Sequence, residues 1–553
     1  MLRNALRGLI VAAVGFGAAG QRQTPPDLIL INGHVITVDR DFSIAEAVAI
    51  AGGRFTAVGT SSQIRTMAGA STRVIDLTGQ TVIPGLADGH LHDAGGGPGV
   101  DLSHTRSVAD VLAAIAVRVK NSQPGELIVT NSDWHEAQLA EHRLPYRRDL
   151  DTVSSNNPVA VVRGGHEYIL NSAALKKWGI TKDTTQLPGG RITRDASGEL
   201  NGELIDRAKS LVQLPPPPKL SVEALQEQHR KLNAAGLTSI RYPGASVEQY
   251  RLLQDMERRG LLTMRVNQLM RAQVSAEEAG RAQSTIESWG VKPDEGDEWV
   301  RIGGLKLVMD GGFEGGWMRD PYAEPWGEHG TYFGVHPDPA AYNTIVKQAN
   351  RLGWRVATHA VGDAAIDAVL NAYSAANAER SIVGRRWTIE HGFIPRADQF
   401  PKMKALGLVV SAQDHLYLAG PSLVSYWGPE RAALTTPIRT YLDQGFIVAG
   451  GTDSPVVPYS PLWVMYHFVT RDTISGGVLG ADQKISRQEA LRVETINNAY
   501  LTFEESIKGS IEPGKLADLV VLPEDPLTCP EKDIQRMNVV MTIVGGKVVY
   551  HRP

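Results

Sequence analysis

Residues 84–92 read PGLADGHLH, an apolar run closing on two histidines one residue apart. Side chains alternate along a strand, so His90 and His92 share a face and can grip one ion. Working outward, four further strand-like runs end in comparable residues. GGLKLVMDGG (303–312) carries Lys306, WRVATHAVGD (354–363) His359, WTIEHG (387–392) His391 and IVAGGTDSP (447–455) Asp453. The same alternation groups Lys306 with Val308 and Asp310, His359 with Arg355 and Ala357, and His391 with Trp387 and Ile389. Each candidate stands at or just past the C-terminal end of its run. In a barrel of parallel strands that end carries the active site.

Eight strand candidates follow one another: 81–86, 238–242, 264–270, 304–309, 355–359, 387–391, 407–412 and 446–450. Amphipathic stretches separate most of them, including SVEQYRLLQDMERRG, AAYNTIVKQANRLG and AAIDAVLNAYSAANAE. PLWVMYHFVTRD and SRQEALRVETINNAYLTF supply two closing helices. Eight β/α units in series predict an α/β fold, a (β/α)8 TIM barrel over residues 83–508. Residues 27–82 and 509–553 are instead short alternating strands around glycine turns, which predicts one small β-sandwich built from both termini. A long insertion, about 94–220, follows the first barrel strand and ends in the proline run 215–218. An insertion placed there is expected to cover the barrel mouth and shape the pocket.

Bulk properties narrow the function classes. A formal charge of -4 offers no basic field, so nucleic acid is excluded as the expected partner. The single cysteine, Cys529, excludes an internal disulfide and a cysteine-rich metal site. The basic start MLRNALR, the apolar GLIVAAVGFGAAG and the small residues before Gln21 have the layout of a signal peptide over 1–20. The expected mature chain is therefore exported, periplasmic or secreted, with no membrane span; the alternative is a cytoplasmic protein.

Each candidate residue also has an ordinary structural role. A histidine ending a strand is commonly just hydrogen-bonded, Asp453 in GTDSP suits an Asx turn or helix cap, and Lys306 alone suits a solvated strand end. The types and their order are what single the set out. Histidines and an aspartate are ordinary ligands for a divalent ion, whereas a lysine joins them only once its amine carries CO2 as a carbamate.

With these motifs assembled, the chain resembles the amidohydrolase superfamily, in the branch called amidohydrolase family 3, which includes N-substituted formamide deformylases. The resemblance is carried by PGLADGHLH, LKLVMDGG, ATHAVGDAAID, TIEHG, SAQDHL and GTDSP, and by PVAVVRGGHEYILNSAALKKWGI and PGGRITRDASGELNGEL in the insertion. It implies two divalent ions. His90 and His92 would hold the more buried one and His359 and His391 the second; carboxylated Lys306 would bridge them, and Asp453 would be both ligand and general base. It implies hydrolysis of a C–N bond (amide, N-formyl or cyclic amide) in a small-molecule substrate by a hydroxide held between the ions. Zinc is the favoured ion; manganese, iron, nickel and cobalt suit the same ligands. Without the carbamate, a one-metal site of His90, His92, His359 and Asp453 is the fallback. A homo-oligomer is expected from the same resemblance.

Six residues form a second tier of candidate contacts to substrate: Asp310, Arg163, His166, Asn171, His415 and Trp317. Trp134, Trp326 and Tyr417 join Trp317 as loop aromatics that would line an apolar cavity. Competing readings are hydrolysis of an ester, carbamate or lactone, deamination of a heterocycle, and a non-catalytic exported binding protein. No glutamate closely follows His359, and Lys306 is present; both disfavour deamination.

Overall fold

A computed structural model describes residues 24–216, 219–323 and 338–553. The signal peptide expected over 1–20, the cut before Gln21, Pro217 and Pro218 of the proline run, and Trp326 lie outside the described residues.

Eight strands form one sheet in chain order: β1 Leu86–Asp88, β2 Leu237–Ala245, β3 Arg265–Arg271, β4 Val300–Val308, β5 Val356–Ala360, β6 Thr388–His391, β7 Val409–Gln413 and β8 Val448–Gly451. All seven neighbouring pairs are parallel. The outermost strands approach each other at their ends, where the Gly89 N–H donates to the Gly450 carbonyl at 2.8 Å. The sheet is thus a nearly closed (β/α)8 barrel. Helices Val247–Arg258, Ala276–Ser288, Pro339–Arg351 and Asp363–Glu379 occupy the amphipathic stretches between strands. Their apolar residues recur at helical spacing; Tyr250, Leu253 and Met256 of the first are buried against the strands. Ser246 and Ser275 cap two of these helices through their side-chain oxygens.

Two predicted elements divide. The run 81–86 is two strands, because the chain changes sheets at Gly85. Thr81–Pro84 pairs with Leu519–Leu522 and His34–Ile36, while β1 starts at Leu86. A Cβ on Gly85 would stand 2.2 Å from Thr238 Oγ1, so only glycine permits this crossing beside β2. The stretch 486–503 is two helices, Arg487–Val493 and Ile496–Leu501. The carbonyl of Glu494 between them accepts from the Ala87 N–H at 2.9 Å, which takes it out of the helical ladder.

The chain termini meet in a six-stranded sheet ordered Lys547–His551, Met541–Val544, Leu519–Leu522, Thr81–Pro84, His34–Ile36, Ile44–Ala45. A second sheet of four strands comes from residues 28–76. Leu30, Val48 and Phe55 of the four-stranded sheet share a buried cluster with Val82, Leu519 and Ile543 of the six-stranded one. Between β1 and β2, a five-stranded sheet runs Gly190–Arg194, Leu200–Asp206, Glu167–Leu170, Val159–Arg163, Ile128–Val129. No helix among the described residues is long and apolar enough to cross a membrane.

Candidate metal centre

Five barrel strands deliver their polar residues to one point. His90 and His92 follow the end of β1, Lys306 lies within β4, His359 within β5, His391 closes β6 and Asp453 follows β8. Lys306 Nζ is 3.2 Å from His90 Nε2. Asp453 Oδ1 is 3.4 Å from the same nitrogen and 3.2 Å from His92 Nε2. Ring centroids continue the group: His90 to His391 is 4.8 Å and His391 to His359 is 4.4 Å. His90, Lys306 and His391 are buried to within 3 % of full enclosure.

Backbone geometry at two positions differs from simple alternation. On β6 the barrel interior receives Glu390, whose carboxylate meets His90 and Arg241, while Ile389 faces the helices and Trp387 packs on Tyr373. The expected shared face of Trp387, Ile389 and His391 is therefore corrected. His391 reaches the centre because its φ is 72°, a left-handed turn that swings the side chain inward. Asp453, with φ 60°, is aimed the same way. Left-handed backbone in residues other than glycine costs energy and is concentrated at functional sites.

The partners of each ring assign its tautomer. His90 Nδ1–H donates to Glu390 Oε2 at 2.5 Å, which bares Nε2. His391 Nδ1–H donates to Gln413 Oε1 at 2.7 Å, again baring Nε2. His359 uses Nε2–H on the Gly311 carbonyl at 3.0 Å and so presents Nδ1. Burial keeps these rings neutral: His90 is pushed down to about 4, and His359 and His391 fall well below the ordinary imidazole value. Burial also pushes the Lys306 amine down to about 8. Burial works against the charge on Asp453, but the surrounding imidazoles outweigh it and hold the carboxyl ionised. Glu390 likewise stays ionised against burial, because Arg241 and His90 both face it.

This donor set fits divalent ions. One ligand atom each from His90, His92 and Asp453 lies within 4.8 Å of the others, and the bared nitrogens of His359 and His391 stand beside them.

The second tier separates. Arg163, His166 and His415 line the cavity over the histidines, as does Trp134. His415 Nε2 lies 3.2 Å from the Thr452 carbonyl and 3.6 Å from Asp453 Oδ2. Asn171 does not line it: its Oδ1 accepts from Val159 and Ala174 and its Nδ2 donates to the Ser154 and Asn157 carbonyls. It is a helix cap, with all its hydrogen-bonding capacity used inside the insertion. Asp310 is fully buried and accepts the N–H groups of Trp317, Val361 and Gly362, so it fixes the loop after His359 rather than facing substrate. Trp317 gives that N–H and packs its ring on the main core, outside the cavity lining. Tyr417 also lies outside the lining; its hydroxyl donates to Gln535 Oε1 at 3.1 Å.

Sequence reasoning missed Glu390, Gln413 and Arg241, which orient the imidazoles, and Glu314 and His135 in the cavity wall. Glu390 had a signal, a carboxylate beside a candidate ligand in an otherwise apolar strand. The other four had none, because what they face is decided only when the barrel and insertion come together.

A family model described as "Amidohydrolase family" matches residues 73–550. The chain belongs to the amidohydrolase family. Among the relatives of this member, an N-substituted formamide deformylase from Arthrobacter pascens is 31% identical over 543 residues, 95% of this chain and 98% of that protein. Protein LONG AFTER FAR-RED 3 of Arabidopsis thaliana is 30% identical over 95% of this chain and 93% of that protein. A solved structure described as an uncharacterized metal-dependent hydrolase from Pyrococcus horikoshii OT3 superposes with a TM-score of 0.66 at 23% identity, covering 91% of this chain and 99% of that one. That likeness shows this amidohydrolase's fold.

Proposed function

We propose that this amidohydrolase cleaves the C–N bond of an amide or N-formyl compound at a centre for two divalent ions, zinc being favoured. The observation that carries the reading is the meeting of Lys306 and Asp453 over one imidazole, 3.2 and 3.4 Å from His90 Nε2. A buried amine beside a carboxylate and bare histidine nitrogens suits a carbamate bridge, because the neutral amine is the form that adds CO2. His90, His92 and Asp453 would hold one ion, His359 Nδ1 and His391 Nε2 the other, with Lys306 between them. Bound there, such ions supply Lewis acidity and lower the pKa of water.

The protein's own groups do the rest. Asp453 is ionised and sits at the cavity edge, so its carboxylate oxygens can take a proton from attacking water and return it to the leaving nitrogen. An amine needs that proton to leave, whereas an alkoxide leaving group needs it less. His415 lines the cavity beside Asp453, with its Nε2–H held by the Thr452 carbonyl at 3.2 Å. Phe313, Phe393, Leu418 and Val456 give the cavity an apolar lining that excludes bulk water and suits an apolar N-substituent. The name of the 31%-identical relative supports the choice of an N-formyl substrate.

The test is a metal analysis joined to a substrate panel. Purified protein should hold two ions per chain, and Lys306→Ala one or none. The protein should release amine from N-formyl amines or N-acyl amines faster than it opens matched esters, carbamates or lactones. Hydrolysis confined to esters or lactones would reject the C–N assignment, and full activity in metal-free protein would reject the centre. We further propose that the chain is exported through residues 1–20, checked by N-terminal sequencing of secreted material.

A further inference from the structure

Beyond the histidines, the cavity wall holds two buried polar atoms that no described residue satisfies. Glu314, 2 % exposed, lines the cavity beside Phe313 in the loop after β4. Its Oε1 accepts from Arg163 Nη2 at 2.9 Å, while Oε2 has no hydrogen-bond partner among the described residues. His135, 7 % exposed, lines the same cavity. Its Nδ1 accepts from the Ala137 N–H at 3.2 Å, so the proton of the neutral ring sits on Nε2, which has no partner among the described residues. Buried groups of this kind are costly to leave unpaired, so an unpartnered acceptor and an unpartnered donor on two residues that line one cavity bear on what it receives.

Charge sharpens the description. Arg163 faces three carboxylates, those of Glu136, Glu167 and Glu314. Glu136 is saturated by Arg163, Ser422 and Tyr426. Burial pushes the Glu167 carboxyl well above the ordinary range and leaves it protonated. Of the three carboxyls only Glu314 lines the cavity, and its Oε2 is the oxygen there that Arg163 leaves unpartnered among the described residues. The loop holding Glu314 also holds Gly311, whose carbonyl contacts His359, so the carboxylate stands close to the candidate centre.

We propose that Glu314 and His135 form a polar subsite for the amine half of the substrate. Glu314 Oε2 accepts from the N–H of an N-monosubstituted amide and then holds the ammonium of the released amine. His135 Nε2–H donates to an oxygen or ring nitrogen on the N-substituent. The preferred substrate class is therefore an N-monosubstituted amide whose apolar substituent carries one hydrogen-bond acceptor. This rests on the amide reading above.

The test is direct binding, which needs no turnover. The metal-loaded full chain is titrated calorimetrically with phenethylammonium, its neutral isostere phenethyl alcohol, and 4-methoxyphenethylammonium. Wild-type protein is expected to bind the ammonium at least tenfold tighter than the alcohol, and Glu314→Gln to lose most of that ratio. The methoxy group should tighten binding several-fold in wild type and not in His135→Asn, whose side-chain oxygen still caps Ala137. Equal affinity for ammonium and alcohol in wild type overturns the proposal, as does an unchanged ratio in Glu314→Gln. If that variant does not fold, the wild-type ratio decides. Ammonium selectivity without cleavage of any amide would reject the hydrolytic reading and leave the subsite standing.

Discussion

At the scale of the residue, the centre depends on side chains held where their chemistry is unfavourable alone. Asp453 is a buried anion on a left-handed backbone, tolerable because the His92 ring hydrogen-bonds it at 3.2 Å. Asp453→Asn keeps the volume and removes the proton acceptor. Its kcat should fall about 1,000-fold while circular dichroism and melting stay near wild type; unchanged turnover would reject the assigned base. Glu390 joins the Arg241 guanidinium, 2.6 Å away, to the His90 ring at 2.5 Å, with every partner buried. Glu390→Gln leaves Arg241 charged and uncompensated, so denaturant unfolding should show a loss of about 3 kcal/mol. His90 would also lose its orienting carboxylate, and chelator competition should show metal affinity reduced about 10- to 100-fold. His90, His92, Lys306, His359, His391 and Asp453 were legible because their side-chain chemistry is rare in apolar strands. Glu390 and Gln413 were not, because an orienting role exists only once His90 and His391 are in place.

At the scale of the element, periodicity located strands and helices well, and tertiary hydrogen bonds decided where they broke. Pro84-Gly85 marks a local break between Thr81–Pro84 and β1, but the change of sheet there answers to Thr238 on the neighbouring strand. The helix break at Glu494 answers to Ala87. Elements also join across the molecule through single contacts. Arg265 of β3 makes a bidentate pair with Asp518, just before the C-terminal strand Leu519–Leu522, at 2.7 and 3.0 Å with both partners buried. Asp518→Asn strands the guanidinium, so denaturant unfolding should show a loss of about 3 kcal/mol. Metal content should not change, since the pair lies at the N-terminal end of β3. Loss of metal without loss of stability would contradict this placement.

At the scale of the whole molecule, burial ties stability to pH. His229, 1% exposed on the helix Val222–Ala234, is pushed down to about 4 by burial alone. The unfolded chain takes up this proton near pH 6.5 and the folded chain only near 4. The unfolded state therefore binds more protons in that window, and stability falls as pH falls through it. Between pH 7 and pH 5 this one ring should cost about 2 kcal/mol. His229→Leu should flatten the acid limb of a stability–pH curve by that amount, and an unchanged limb would show that the ring is solvated. His467, held down to about 3 by burial, adds to the same limb.

The sequence by itself determined the barrel, the order of its strands and the six candidate residues toward their C-terminal ends. Strand periodicity and ligand chemistry are local properties, readable without knowing what lies opposite. Only the tertiary structure decided which way His391 and Asp453 point, that Asn171 and Asp310 hold loops instead of facing the cavity, and that Glu314 and His135 do face it. Those outcomes depend on closing a ring of strands whose members lie hundreds of residues apart, and on which buried polar atoms find partners once it has closed.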